Sequence, residues 1–326
     1  MATSRAFIYQ GIQMGAESTA GTAVAASKRI LGFSELILKE EIPVKSVKSQ
    51  GRKLSTGTQR GMEHTTASYS GALDYNYLPL VLDSMLGAAS VVASGTGNVI
   101  KTRTYAPSDT NPLTPKSYTF EVGSSKGAEK VAYGMFTGIS IKLSQEEATV
   151  QGSIIGGKLI QSASMTALTG ADEIPTKAVN EVGVAWYIST DGTSFTQLND
   201  VIEGEIKIDG MWAPSFHQTD ATETYDRVKE LGPTVMANVT FENGSESETL
   251  VSQIRTNTKV WLRFKVLGPV IDTGAHKIQG TFPMYVVKPD RGDKNDVVGN
   301  TIEFDGAHDT SSMFEIVIVN TLATLL

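Results

Sequence analysis

The chain has 326 residues, 40% of them hydrophobic and 19% charged, and its 28 Lys+Arg against 35 Asp+Glu give a formal charge of −7. That length and balance predict about two domains with ordinary cores and exclude a disordered or supercharged polypeptide. There is no cysteine, which excludes disulfide scaffolds, thiol catalysis, iron–sulfur clusters and cysteine-ligated zinc. The apolar runs are as short as residues 36–38 and 316–319, far below the ~20 residues of a membrane span. Residues 1–11 lack the charged-then-apolar order of a signal peptide, so the sequence predicts a soluble intracellular product with no membrane partner.

Taken in chain order, period-2 alternation of β-branched and aromatic residues predicts strands over 36–44, 66–73, 117–122, 131–143 and 149–155. The same pattern recurs over 205–208, 260–266, 277–287 and 314–319. The 31 glycines, with the Asp191-Gly192 and Asn243-Gly244 pairs, supply turns. Two stretches carry helical spacing. In the first, Leu78, Val81, Leu82, Met85 and Leu86 share a face, with Pro79 in the first turn and Gly87 as the stop. In the second, Leu250, Val251 and Ile254 form a narrower stripe that opens on the capping box Ser245-Glu246-Ser247-Glu248 and closes near Asn257. Both are short enough to require docking on a sheet. The predicted class is mainly β.

The order of elements repeats. A strand, a helix, Phe120, a Gly134-bearing strand and further strands in the first half match a strand, a helix, Phe264, a Gly280-bearing strand and further strands in the second. The expected units are 1–165 and 166–326. The first carries an insertion over 88–116, and the linker falls within 161–175, a small, polar, unpatterned stretch. Residues 184–198 predict a hairpin that is either an addition or the opening of the second unit.

Charge is distributed unevenly. Residues 1–180 hold 17 basic and 14 acidic side chains, and residues 181–326 hold 11 and 21. Lys39, Lys45, Lys48, Arg52, Lys53 and Arg60 cluster in one segment. Such a run is ordinarily a solvated loop. It lacks the interleaved aromatics of a nucleic-acid surface, and a basic arm meeting the acidic surface of a neighbouring copy is the third reading. The overall acidity opposes tight phosphate binding.

No catalytic constellation emerges. His64, His217, His276 and His308 sit in no metal-ligand spacing. Asp290, Asp293 and Asp296 lack the spacing and terminal glutamate of a calcium loop, and Arg291-Gly292-Asp293 is an adhesion-like triplet of a kind common in turns. Gly152-Ser153-Ile154-Ile155-Gly156-Gly157 lacks a phosphate-loop lysine, and no serine stands in a nucleophile elbow. The sequence predicts no enzyme, no metal and no cofactor.

The opening Gly15-Ala16-Glu17-Ser18-Thr19-Ala20-Gly21-Thr22-Ala23, followed by Arg29-Ile30-Leu31-Gly32-Phe33, resembles the start of phage tail tube proteins. Met85-Leu86-Gly87 closing a Leu-rich helix, Tyr118-Thr119-Phe120-Glu121, Gly152-Ser153 and the strand over 314–320 are similar to that family's later features. The resemblance implies a tail tube protein (major tail protein) of a siphovirus-type phage with a long non-contractile tail. It implies mainly β architecture: two tandem sandwich or barrel units, each with a short flanking helix, plus an extended arm. It further implies a structural virion protein that polymerises into stacked rings, the conduit for genome ejection. Single-unit relatives are about half this length, so two units per chain would let three chains form a pseudo-sixfold ring, the alternative being a hexamer.

The implied location is the virion tail, after assembly in the host cytoplasm. The implied partners are further copies of the chain and the tape measure, tail tip and tail terminator proteins, with DNA passing through the lumen without specific binding. The candidate inter-ring arm is residues 35–63, with Lys45, Lys48, Arg52, Lys53 and Arg60. The candidate lumen or ring-surface acids are Glu203, Glu205, Asp209, Glu242, Glu246 and Glu248. The rival reading is a virion surface adhesin or carbohydrate-binding β module, which predicts an exposed cluster of tryptophan and tyrosine.

Overall fold

The computed structural model describes residues 11–124, 126–162, 164–179, 183–217, 223–294, 297–309 and 313–326. The N-terminal ten residues of the leader reading, and Asp296 of the acidic turn, lie outside the described residues.

In the first half, β1 (Gly11–Ala16), β2 (Lys28–Ile30), β3 (Phe33–Glu41), the hairpin β4 (Val44–Val47) and β5 (Gly57–Arg60), and β6 (His64–Ala72) precede helix α1 (Leu78–Leu86). The hairpin β7 (Ser90–Ser94) and β8 (Ile100–Tyr105) follows, then β9 (Tyr118–Ser124), β10 (Gly127–Leu143), β11 (Ala148–Gly156) and β12 (Leu159–Ser162). The second half runs β13 (Val184–Ser189), β14 (Thr196–Leu198), β15 (Val201–Asp209), the hairpin β16 (Trp212–Ser215) and β17 (Arg227–Glu230), and β18 (Thr234–Glu242). It continues through helix α2 (Ser245–Thr256), β19 (Lys259–Ile271), β20 (Gly274–Lys294), β21 (Val297–Gly306) and β22 (Glu315–Asn320).

Strict alternation makes these strands. In β19, Val260, Leu262, Phe264 and Val266 are buried, while Lys259, Trp261, Arg263 and Lys265 point the other way. Each buried aromatic or branched side chain contributes about 1.5–3 kcal/mol, and such residues from both halves merge into one large core.

All pairings between named strands are antiparallel, and the same set occurs in each half. β1 pairs with β2 and β9 as β13 pairs with β14 and β19. The long strands β10 and β20 each serve two sheets. The proximal part of β10 pairs with β9 and β12, and that of β20 with β19 and β22; the distal part of β10 pairs with β11, and that of β20 with β21. β11 then pairs with β6 and β6 with β3, as β21 pairs with β18 and β18 with β15. Bulges fall at matching places, between Phe136 and Gly138 in β10 and between Val286 and Lys288 in β20. Another pair lies between Phe33 and Glu35 in β3 and between Val201 and Glu203 in β15. A bulge adds one residue and re-aims the strand, so its position sets the register of everything beyond it. The 184–198 hairpin therefore occupies, in the second half, the place that β1 and β2 hold in the first.

The two helices lie where their spacing predicts. All nine residues of α1 are buried, with proline in its first turn and Gly87 closing it at φ 89°, a conformation that favours glycine. Its start is fixed by Asp74, whose carboxylate accepts hydrogen bonds from the backbone N–H of Asn76 (2.7 Å) and Tyr77 (3.3 Å). α2 ends on the left-handed Asn257. Its cap differs from expectation by one residue: Gly244 is the cap and its N–H donates to Ser247 Oγ at 3.3 Å. Glu246 is engaged elsewhere, accepting from the backbone N–H of Asn199 (2.9 Å) and Asp200 (3.2 Å). The 88–116 insertion supplies the β7–β8 hairpin, and β8 pairs with β22, lacing the first half to the second.

Candidate assembly interface

One seam organises the molecule. The distal part of β10 pairs with β15 through Ile139↔Ile208, Ser140↔Lys207, Ile141↔Ile206, Lys142↔Glu205 and Leu143↔Gly204. It fuses the two halves into a single eight-stranded sheet in the order β3, β6, β11, β10, β15, β18, β21, β20. One face carries Leu36, Tyr69, Ile139, Ile141, Ile206, Ile208, Val239 and Phe304 into the core, under α1, α2 and the other sheets. The opposite face carries the alternate residues and is polar.

Following the registers along that polar face, β3 contributes Glu35, Lys39 and Glu41, and β10 contributes Lys142. β15 contributes Glu203, Glu205, Lys207 and Asp209, β18 contributes Glu242, β21 contributes Glu303 and Asp305, and β20 contributes Lys288 and Asp290. Among the residues whose side chains are described, nine carboxylates thus stand against four lysines, an excess of five negative charges. Part of the acid is matched locally: Lys39–Glu41 at 2.7 Å, Lys142–Glu203 at 3.3 Å and Lys207–Asp209 at 3.1 Å, and Ser140 donates to Glu205. Lys39, through a hydrogen bond and its charge, holds the Glu41 carboxyl below the usual carboxylate range. These pairs are solvent-exposed and contribute little stability; the excess of carboxylates over lysines gives the face a negative field.

Four of the six acids singled out in the sequence, Glu203, Glu205, Asp209 and Glu242, share this face. Glu246 and Glu248 do not, because α2 packs through Ser247 and Leu250 on the core side of the sheet. The sequence does not mark Glu303 or Asp305 of β21, and it offers Asp290 of β20 only within a calcium-like spacing, since only the register reveals which carboxylates share a face.

The five basic arm residues lie on or beside the β4–β5 hairpin. Every residue of both its strands is exposed, and Leu54 at its tip is 81% exposed. Lys45 opposes Gln59, and Lys48, Arg52 and Lys53 lie in the turn. Arg60 is drawn back to the root, where it pairs with the buried Glu63; Lys158 reaches the same carboxylate at 3.0 Å and also pairs with Glu223. The hydrogen bonds that Lys158 donates to Glu223 and Glu63 hold it protonated above its ordinary range.

The second half has a hairpin in the corresponding place, and it is not free. β16–β17 lies on the first half: Trp212 Nε1 donates to the Met85 carbonyl of α1 at 2.9 Å, and the Tyr225 hydroxyl donates to the Tyr133 carbonyl at 2.8 Å. The Tyr133 and Tyr225 rings pack at a 44° tilt with centroids 4.9 Å apart. Trp186 and Trp212 are buried, so the tryptophans do not form the exposed platform that an adhesin would present.

The chain therefore offers a polar negative sheet face, two sheet edges at β3 and distal β20 with no second strand among the described residues, and an exposed basic hairpin. No curated protein matches the chain. The phage tail tube protein family matches residues 10–306, which takes in the whole eight-stranded sheet, and the chain belongs to that family, whose members are structural components of the virion tail that assemble by stacking.

Proposed function

We propose that the chain comprises two tail-tube-like units, residues 1–165 and 166–326, and that three copies close a pseudo-sixfold ring. These rings stack into the tube of a siphovirus-type tail through which the genome is ejected. The observation that carries this reading is the β10–β15 seam: two similar units already share one sheet within a chain, and the same type of join repeated between chains closes a ring with no free inner edge. The polar face of that sheet is the lumen. Its excess carboxylates repel DNA phosphates, so the genome slides without being held. The β4–β5 hairpin, with Lys45, Lys48, Arg52 and Lys53, is the inter-ring arm, and its charge suits the acidic surface of the next ring. Glu246 and Glu248, on the outer side, belong to ring surfaces rather than to the bore. Subunits are made in the host cytoplasm, and the finished tube meets the tape measure, tail tip and tail terminator proteins. Electron microscopy of the purified chain at rising concentration tests the reading: hollow filaments of stacked rings containing three chains each support it, and a persistent monomer contradicts it.

A further inference from the structure

We infer that the distal part of β20 in one copy pairs antiparallel with β3 of the next in a single register, Pro289↔Glu40, Asp290↔Lys39 and Arg291↔Leu38, with Lys288 facing Glu41. The inference rests on the ring reading above and assigns its seam. The template is internal. Distal β10 and distal β20 are counterparts because each follows the same bulge, at Thr137 and at Val287, 150 residues apart. β15 and β3 are counterparts because each follows the same bulge, at Ile202 and at Ser34, 168 residues apart. Within the chain these counterparts are already partners, Ile139↔Ile208 and Ser140↔Lys207. Moving the first member forward by 150 and the second back by 168 gives the register stated.

Charge selects the same register independently. In it, Lys288 opposes Glu41 and Asp290 opposes Lys39, both on the polar face, and opposite charges across a strand pair are favourable. A slip of two residues one way sets Lys288 against Lys39, and a slip the other way sets Asp290 against Glu41; both juxtapose like charges. A slip of one residue turns the core-facing set, Leu36 and Val286 among them, toward the wrong side. Until that partner arrives the two edges are blunted by charge, by the bulges and by Pro289, which brings no N–H to a ladder.

Because the chain contains no cysteine, disulfide trapping reads the register without background. Opposed residues have Cα atoms about 4.5–5.5 Å apart, within disulfide reach, whereas diagonal neighbours lie at about 7–8 Å, beyond it. Tubes assembled from full-length Lys39→Cys/Asp290→Cys protein and oxidised mildly should run as covalent dimers and trimers. Tubes of Lys39→Cys/Lys288→Cys protein should give roughly tenfold less. A charge-swapped Lys39→Asp/Asp290→Lys protein should assemble as the parent does, while either single change weakens assembly. Intact tubes in which the 39–290 pair stays uncrosslinked, or crosslinks no better than 39–288, overturn the register and leave the ring standing. A parent chain that forms no rings removes both.

Discussion

Phe120 lies over Gly134 and Phe264 over Gly280. A Cβ added at Gly134 would stand 2.3 Å from Phe120, and one at Gly280 would stand 2.4 Å from Phe264 and 2.6 Å from Phe282. Both phenylalanines are fully buried, so neither ring has room to withdraw. Gly134→Ala and Gly280→Ala should therefore each destabilise the chain by about 1–3 kcal/mol, seen as a lower urea midpoint at unchanged slope. No change in either variant would show that the ring-over-glycine contact does not constrain the core. The recurrence of Phe and Gly in the two halves is legible in the sequence, but the contact between them is not, because it forms across adjacent strands. Glu63 was equally hidden: nothing in its local sequence marks a buried carboxylate holding Arg60 and Lys158.

His276 is buried with its ring 5.1 Å from that of Tyr75. Burial, aided by the charge of Lys177 and opposed by a hydrogen bond to the Val319 backbone, pushes its imidazole below the ordinary value of 6.5. The folded state thus binds that proton less readily than the unfolded chain does. The associated stability is complete above pH 6.5 and is lost as pH falls through the folded-state value. Thermal unfolding followed from pH 7.5 to 5 should show the midpoint falling below pH 6.5, and the fall should be smaller in His276→Phe. Equal pH dependence in both proteins would remove His276 from the account.

At the scale of elements, both helices and the strands of the strictest alternation were readable because burial on one face imposes a period. α1 shows the limit of that logic. Its apolar stripe predicts one buried face, yet Asp83 and Ser84 are buried as well, Asp83 paired with Lys116 at 2.7 Å and accepting from the Tyr105 hydroxyl at 2.7 Å. The covering segments come from distant sequence. The β16–β17 hairpin was missed for a similar reason: two four-residue strands, one containing Pro214, are too short to establish a period. Its counterpart β4–β5 was visible only through its charge. Replacing residues 45–59 by a two-glycine turn, which keeps Arg60 on the buried Glu63, should leave melting of the remaining fold nearly unchanged, because the removed strand residues are all exposed, while abolishing the stacking of rings in sedimentation and electron microscopy. Normal tubes from the shortened chain would disprove the arm's role.

For the whole molecule, the proposed ring depends on where the eight-stranded sheet stops and which way its charge points. The acidity of the second half was legible as composition, whereas the shared face was not, since alternation sends half of each strand outward and only pairing aligns the halves of different strands. Replacing neutral residues of that face, Ser68→Lys, Gln151→Lys and Asn238→Lys, lowers its negative excess by three charges per chain without removing an acid. Tubes of this variant should retain duplex DNA at low ionic strength and release it as salt rises, whereas parent tubes should retain none; equal retention would contradict a repulsive bore. The central claim, however, is the sheet itself. A density map of the assembled tube at side-chain resolution tests it most directly. It should show three chains per ring, with β20 of each continuing into β3 of the next around an unbroken, negatively lined barrel, and a ring whose chains keep their sheets separate would contradict the account.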